Sequence, residues 1–331
     1  MSDTALVVGG TKFIGRHTVE ELLAHDYRVT TFTRGESGNP FEDRDSVDSV
    51  HGDRTDRDAL ETARDAVDPD IVIDTCAFQP ADVEAATEVF ADADAYVYVS
   101  SGSAYDAPDV PMREDETTLH DCTPEQATDD TVESYGPRKA EGDRVVARAA
   151  EDGVNAMAVR PMLVYGPHDY TERFAYWTDR VAEYDEVAVP FDGDSLLHRV
   201  FVEDVASALR VVAEEGEAGE AYNVADRNTF SLGRSLELAA DALDTDVDVV
   251  QTGPADLDAA GVEPTDFPLY TPTPAVVATE KLSALGWEST PPEEAVAATA
   301  QAHREHGRDG TVNGPDRETE EALIDAARGG D

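Results

Sequence analysis

Tyr135 and Lys139 stand four residues apart in the stretch Ser134-Tyr135-Gly136-Pro137-Arg138-Lys139, which Val145, Val146 and Ala149 continue as a predicted helix. Residues at that spacing share one helix face, so both side chains address one point. A tyrosine exchanges a proton near neutral pH when a cation steadies its phenolate, and a lysine one turn away supplies that cation. Ser101, at the end of a strand predicted over Tyr96 to Ser100, adds a hydroxyl that can hydrogen-bond the same reacting oxygen. The scarcity of lysine sharpens this reading: the chain holds three, Lys12, Lys139 and Lys281. Arginine is a larger, permanently charged fork and does not replace a compact ammonium under a substrate or cofactor. Lys12 and Lys139 both fall in motifs.

The elements that must position these groups begin at the N-terminus. Ala5 to Val8 reads as a short apolar strand and Gly9-Gly10-Thr11 as a tight turn. Phe13 to Ala24 reads as a helix with Ile14, Val19, Leu22 and Leu23 on its apolar face, followed by a strand over Arg28 to Thr33. In this strand, turn, helix and strand arrangement, backbone N–H groups and a helix N-terminus face a pyrophosphate. The glycine spacing runs from Gly9 to Gly15 with Lys12 where a middle glycine usually sits, so Gly9, Gly10, Thr11, Lys12, Phe13, Ile14 and Gly15 are the candidate pyrophosphate residues. After the second strand, where an acidic residue would bind the ribose of NAD, the chain has Thr33-Arg34, which suits a 2′-phosphate. NADP is therefore expected ahead of NAD, with Arg16 able to assist Arg34. Ser49 to His51 leads into Gly52-Asp53-Arg54, and Ile71 to Ile73 leads into Asp74-Thr75-Cys76-Ala77. The repetition predicts a parallel doubly wound α/β sheet whose loops converge outside the strands' carboxyl ends. Asp53 and Arg54 then lie toward the adenine and Cys76 and Ala77 toward the middle of the cofactor. Asp53 reads equally well as the N-cap of the helix that follows.

Taken in order, GGTKFIG, TRG, GDRTD, SSGSAY, YGPRK and RPMLVYGP resemble an extended short-chain dehydrogenase/reductase of the NAD-dependent epimerase/dehydratase superfamily, over roughly residues 4 to 300. GGT-x-FIGR, DTCAF and GPHDYTERFAYW are similar to a bacterial and archaeal group within it, and GGT-x-FIG also resembles chloroplast stem-loop RNA-binding relatives. The resemblance implies a Rossmann domain over residues 1–165, with 193–226 contributing to it, and a smaller C-terminal substrate-binding lobe over 166–192 and 227–304. Residues 305–331 are expected as a peripheral, partly disordered tail.

It further implies that Tyr135 gives or takes the proton and that Ser101 orients the substrate oxygen. Lys139 would lower the tyrosine pKa and hold the nicotinamide ribose. Arg160-Pro161-Met162-Leu163 would set backbone beside the nicotinamide carboxamide, adding Pro161 and Leu163 to the cofactor set. Tyr170, Arg173, Trp177, His198 and Arg199 are the substrate candidates of the lobe, although core packing is the stronger reading of its aromatics. Lys281 to Trp287 matches a structural element of the family. Departures narrow the substrate. Gly102-Ser103 stands where the family's 4,6-dehydratases carry Asp-Glu, which disfavours that reaction. Leu197 stands where sugar-nucleotide epimerases place a diphosphate-binding arginine, with Arg199 as a substitute.

The expected activity is hydride transfer between NADP and a carbonyl or secondary alcohol of a small molecule, sugars and sugar nucleotides included. The alternatives are epimerisation by the same residues and, in a different class, an RNA-binding or regulatory protein on the same fold. A homodimer is left open.

Composition bounds these readings. The chain's 331 residues are 40% hydrophobic, enough for a real core, and no apolar run reaches membrane-spanning length. The opening MSDTALVVGG has neither a basic n-region nor an apolar h-region, so a cytoplasmic location away from membranes is expected. Cys76 and Cys122 are the only cysteines and have no zinc-ligand spacing with histidine, so no metal is expected. The loudest signal is charge: 72 acidic against 25 basic residues give −47, spread along the whole chain. That charge weighs against nucleic acid and resembles salt-in halophile proteins, where concentrated salt screens self-repulsion. The protein should accordingly unfold on dilution from molar to low salt, read by circular dichroism. Full retention of the signal in dilute neutral buffer contradicts this.

Overall fold

A computed structural model describes residues 3–36, 38–106, 109–307 and 310–329. The elements begin with β1 (Thr4–Val8), α1 (Phe13–Ala24), β2 (Arg28–Thr33), β3 (Val47–His51), α2 (Arg57–Val67), β4 (Ile71–Asp74), α3 (Pro80–Val89) and β5 (Ala95–Val99). They continue with α4 (Tyr135–Glu151), β6 (Ala156–Pro161), β7 (Leu163–Tyr165), α5 (Arg173–Glu183), β8 (Glu186–Pro190), β9 (Arg199–Phe201), α6 (Val202–Glu215) and β10 (Ala221–Val224). The last are α7 (Leu232–Leu243), β11 (Asp248–Thr252), α8 (Pro254–Ala260), α9 (Glu280–Ala284), α10 (Pro292–His306) and α11 (Arg317–Gly329). The chain divides into two compact units. One holds the chain up to Val164 with Val202–Ala225 and Val277–Glu288, the other Tyr165–Phe201, Asp226–Val276 and the chain from Ser289 on.

The first unit is a seven-stranded parallel sheet in the order β10-β6-β5-β4-β1-β2-β3. The inner strands are continuous apolar runs, as burial on both sheet faces requires: Ala5 to Val8, Val72, Ile73 and Ala95 to Val99 are all buried. Strand order reverses at β1, where Val8 pairs with Phe32 on one side and Asp74 on the other. The crevice for a ligand opens at such a reversal.

In the second unit β8 and β11 pair in parallel, Glu186 opposite Asp248. Trp177 is fully buried, stacks on Phe267 with centroids 6.0 Å apart, and donates from its indole to the Pro268 carbonyl at 2.8 Å. Arg180, also buried, pairs with Glu320 at 2.7 Å and lies over the Tyr176 ring.

Three expectations change here. Within the tail expected to be peripheral, α11 sets Leu323, Ile324 and Glu320 inside the second unit, because its one apolar stripe and the Arg180 partner both need burial. Residues 277–288 belong to the first unit, anchored where the Trp287 indole donates to the Asp204 carbonyl at 3.0 Å, while 193–201 belong to the second. Finally, Asp56 rather than Asp53 caps α2, accepting from Asp58 N at 3.0 Å.

Candidate active site

Helix α4 begins at Tyr135 against the short 3₁₀ turn Gly102–Ala104 that follows Ser101. The approach is close enough that a Cβ on Gly136 would stand 2.4 Å from the Ser103 carbonyl oxygen. Ser101 faces this junction, its Oγ accepting from Ser103 N at 3.1 Å. One turn along α4, Lys139 is 3% exposed. Its ammonium donates to the Ala77 carbonyl at 2.9 Å and the Val99 carbonyl at 2.8 Å, at the ends of adjacent parallel strands. Aromatic rings surround the rest of it: the centroids of Tyr98, Phe78 and Tyr135 lie 4.8, 5.4 and 5.8 Å from Nζ. Two of three N–H donors are thus committed to main-chain oxygen, while ring faces stabilise the charge. Burial pulls this lysine down to about 8, against the opposing pull of Asp74 and then Asp143.

The loop that supplies the Ala77 carbonyl is itself pinned by buried charge. Arg54 pairs with Asp74 and, at 3.1 Å, with Asp82. Asp74 also accepts from the Tyr96 hydroxyl at 3.1 Å and from Cys76 N at 3.2 Å. Asp82 accepts from Phe78 N and Gln79 N, both at 3.0 Å, which fixes the start of α3. Arg54, expected to face the cofactor, is therefore committed to two framework carboxylates. Cys76 keeps its place in the loop as a thiol, pushed up to about 12 by burial and by Asp74.

The glycine turn has the geometry its composition suggests. Gly9 adopts φ +90°, and a Cβ on Gly15 would lie 2.3 Å from the Gly9 carbonyl oxygen, so neither position takes a side chain without displacement. Thr11 N donates to that same Gly9 oxygen at 3.0 Å. Lys12 is the exposed N-cap residue of α1, Phe13 is buried at φ 27°, and Ile14 is half-buried beside it. Arg34 is exposed just beyond β2 and lies 3.3 Å from the Glu36 carboxylate. Asp53 is exposed too; hydrogen bonds from Thr55, then the charge of Arg34, hold its carboxyl below the ordinary range. Pro161 ends β6 and Leu163 begins β7, with Met162 N between them donating to the Val224 carbonyl at 3.0 Å.

Among the substrate candidates, Tyr170 is 63% exposed, and Arg173 opens α5 with its Nε donating to Thr171 Oγ1 at 3.3 Å. Trp177 is core, as its stacking shows. His198 is buried with Nε2 2.7 Å from the Asp226 carbonyl oxygen, and burial lowers its pKa. Arg199 is buried beside Ser235. Sequence reasoning missed Phe78, Tyr98 and the carboxylate role of Asp74. The available signal was an aspartate closing an otherwise apolar parallel strand. Among the described residues, no group of three or more His, Cys, Asp and Glu side chains could hold a metal ion, and no helix is long and apolar enough to cross a membrane.

Residues 5–225 match the model of the NAD dependent epimerase/dehydratase family. The chain is 29% identical over 231 residues to the chloroplast stem-loop binding protein of 41 kDa b of Arabidopsis thaliana, an alignment covering 66% of this chain and 57% of that protein's length. Its structure is similar to that of dTDP-glucose 4,6-dehydratase from Bacillus anthracis in complex with NAD, with TM-score 0.71, 21% identity and coverage of 92% of this chain and 97% of the other. It is similar as well to UDP-glucose 4-epimerase from Thermotoga maritima with UDP-glucose, with TM-score 0.69, 20% identity and coverage of 92% and 100%. At such identities the likeness carries the fold.

The burial of Lys139 gives a direct test. With only three lysines in the chain, selective isotope labelling of the side chains yields three resolvable NMR titrations. One should turn over near pH 8 and vanish in Lys139→Met, while that of Lys281, raised by its hydrogen bond and charge pairing with Glu220 against the effect of burial, lies above the ordinary lysine value. Three titrations at ordinary lysine values contradict the buried ammonium.

Proposed function

The chain belongs to the NAD dependent epimerase/dehydratase family, and from that premise we propose an NADP-preferring oxidoreductase acting on a carbonyl or secondary alcohol, with Tyr135 as its acid and base. The observation that carries the proposal is Lys139: a buried ammonium one helical turn from Tyr135 and 5.8 Å from the centre of its ring, at the carboxyl ends of β4 and β5. A cation there lowers the energy of the phenolate and brings the tyrosine into the range where it can exchange a proton.

The cradle of Gly9, Gly10 and Gly15 fits a dinucleotide, because three positions of the turn at the N-terminus of α1 carry no side chain of their own. Thr11, Lys12, Phe13 and Ile14 would continue that wall, with Asp53 toward the adenine, Cys76 and Ala77 at the middle, and Pro161 and Leu163 near the nicotinamide. When bound, the nicotinamide supplies or accepts the hydride. Tyr135 then gives a proton to the substrate oxygen or takes one from it, and Ser101 donates a hydrogen bond to the same oxygen. Lys139 serves both jobs, stabilising the phenolate and holding the nicotinamide ribose. Epimerisation would use the same residues, but Arg34 favours an exchangeable NADP over a permanently held NAD.

A second reading is favoured by one observation, the likeness to a chloroplast protein named for stem-loop binding. The charge of −47 opposes it, since phosphate contacts depend on basic side chains.

The test is made in molar salt. Fluorescence titration should give tighter binding of NADPH than NADH, with the ratio collapsing in Arg34→Ala. Tyr135→Phe should lose about 10²–10⁴-fold in hydride-transfer rate on a panel of aldehydes, ketones and sugar derivatives while cofactor affinity stays within about twofold. Full turnover by Tyr135→Phe sinks the acid and base assignment. Specific RNA binding with no turnover at all favours the second reading.

A further inference from the structure

Arg199 opens β9 with its side chain 2% exposed. Its Nη1 donates to Ser235 Oγ, and the Phe230 ring lies under the guanidinium carbon at 4.8 Å. Nε and Nη2 are buried and, among the described residues, have no hydrogen-bond partner. These two nitrogens form one edge of the guanidinium plane, with parallel N–H vectors spaced to meet two oxygens of a single carboxylate or phosphate. Ser235 does not neutralise them, since its hydroxyl carries no charge and its one hydrogen is donated to the Ser231 carbonyl at 2.9 Å. It also belongs to the first turn of α7, whose N-terminal end is electropositive and so adds to the positive potential instead of neutralising it. Burial pulls the guanidinium down to about 10, which still leaves it charged at neutral pH, with Tyr165 and Asp226 acting through space to support the charge. A buried cation with an open fork is costly unless an anion completes it.

We infer that Arg199 is an oxyanion site whose Nε and Nη2 edge takes a phosphate or carboxylate, either as a free ion or as a group carried by the substrate. The substrate-borne form rests on the proposed oxidoreductase reading; anion binding at the fork does not. The position matters because Leu197, two residues earlier in the chain, offers an anion nothing.

The test uses the full chain in molar potassium chloride, with inorganic phosphate and glucose 1-phosphate as calorimetric probes. Phosphate should bind saturably to one site. Arg199→Lys, which keeps the charge but loses the fork, should weaken it at least tenfold with an unchanged circular dichroism spectrum. Should that variant fail to fold, crystals of the unaltered protein grown with selenate carry the decision: anomalous density should bridge Nε and Nη2. Glucose 1-phosphate binding more tightly than phosphate assigns the site to a substrate group, and equal affinity assigns it to a free ion. Absent phosphate binding, affinity unchanged in Arg199→Lys, or selenate found only elsewhere overturns the inference. An NADPH titration of the same preparation keeps the two readings apart, since failure there counts against the oxidoreductase and leaves the oxyanion result standing.

Discussion

The seat of Lys139 is the constraint from which the rest of the candidate site follows. A buried ammonium must find acceptors, and it finds them in two main-chain carbonyls, of Ala77 after β4 and Val99 at the end of β5. Those carbonyls can be presented only if adjacent parallel strands end at the same level and the loop after β4 is held rigid. The helix that carries the lysine must also begin tight against the turn after Ser101, which is why Gly136 and Gly102 stand where a Cβ would strike the Ser103 carbonyl or the Met162 sulfur. Satisfying one lysine thus brings Ser101, Tyr135 and the loop over residues 74–79 into one place.

The same logic runs through the molecule on a larger scale. A chain with −47 charges places many of its few cations inside: Arg54, Arg138, Lys139, Arg160, Arg180 and Arg199 are all buried. Three meet a carboxylate there, Arg54 with Asp74 and Asp82, and Arg160 with Asp143 and Arg180 with Glu320, the last two at 2.7 Å. Such pairs need add little net stability to be indispensable, because removing one partner strands the other charge in a medium that cannot solvate it. The interior is held in register by cations, and among the described residues two of them, Lys139 and Arg199, lack a contacting carboxylate partner.

What was legible in the sequence was local. The glycine turn, the Tyr135 and Lys139 spacing and the apolar parallel strands are patterns within a few residues, and the strands predicted at Ala5, Arg28 and Ile71 begin in the structure within a residue of those positions. What was not legible depends on partners distant in the chain. Arg54 reads as a cofactor residue because it lies in the loop after a strand, at the strands' carboxyl ends, whereas its partners Asp74 and Asp82 lie on later elements. The last helix looked peripheral because only Leu323 and Ile324 mark its buried stripe and Glu320 reads as one more surface acid until Arg180 is placed beside it. Arg199 showed a type but not a state, since no pattern in sequence tells a paired guanidinium from an open one.

On the proposed reading the Lys139 ammonium organises a cofactor crevice as well as the chemistry beside it. The deciding experiment is NADPH titration of wild type and Lys139→Met in molar salt, on both sides of the lysine's transition expected near pH 8. Because the protonated form exists below that transition and attracts an anionic cofactor, wild-type affinity should fall as pH rises through it. The variant should bind at least tenfold more weakly with no such dependence. Equal affinities for the two proteins, flat across that range, would contradict the account.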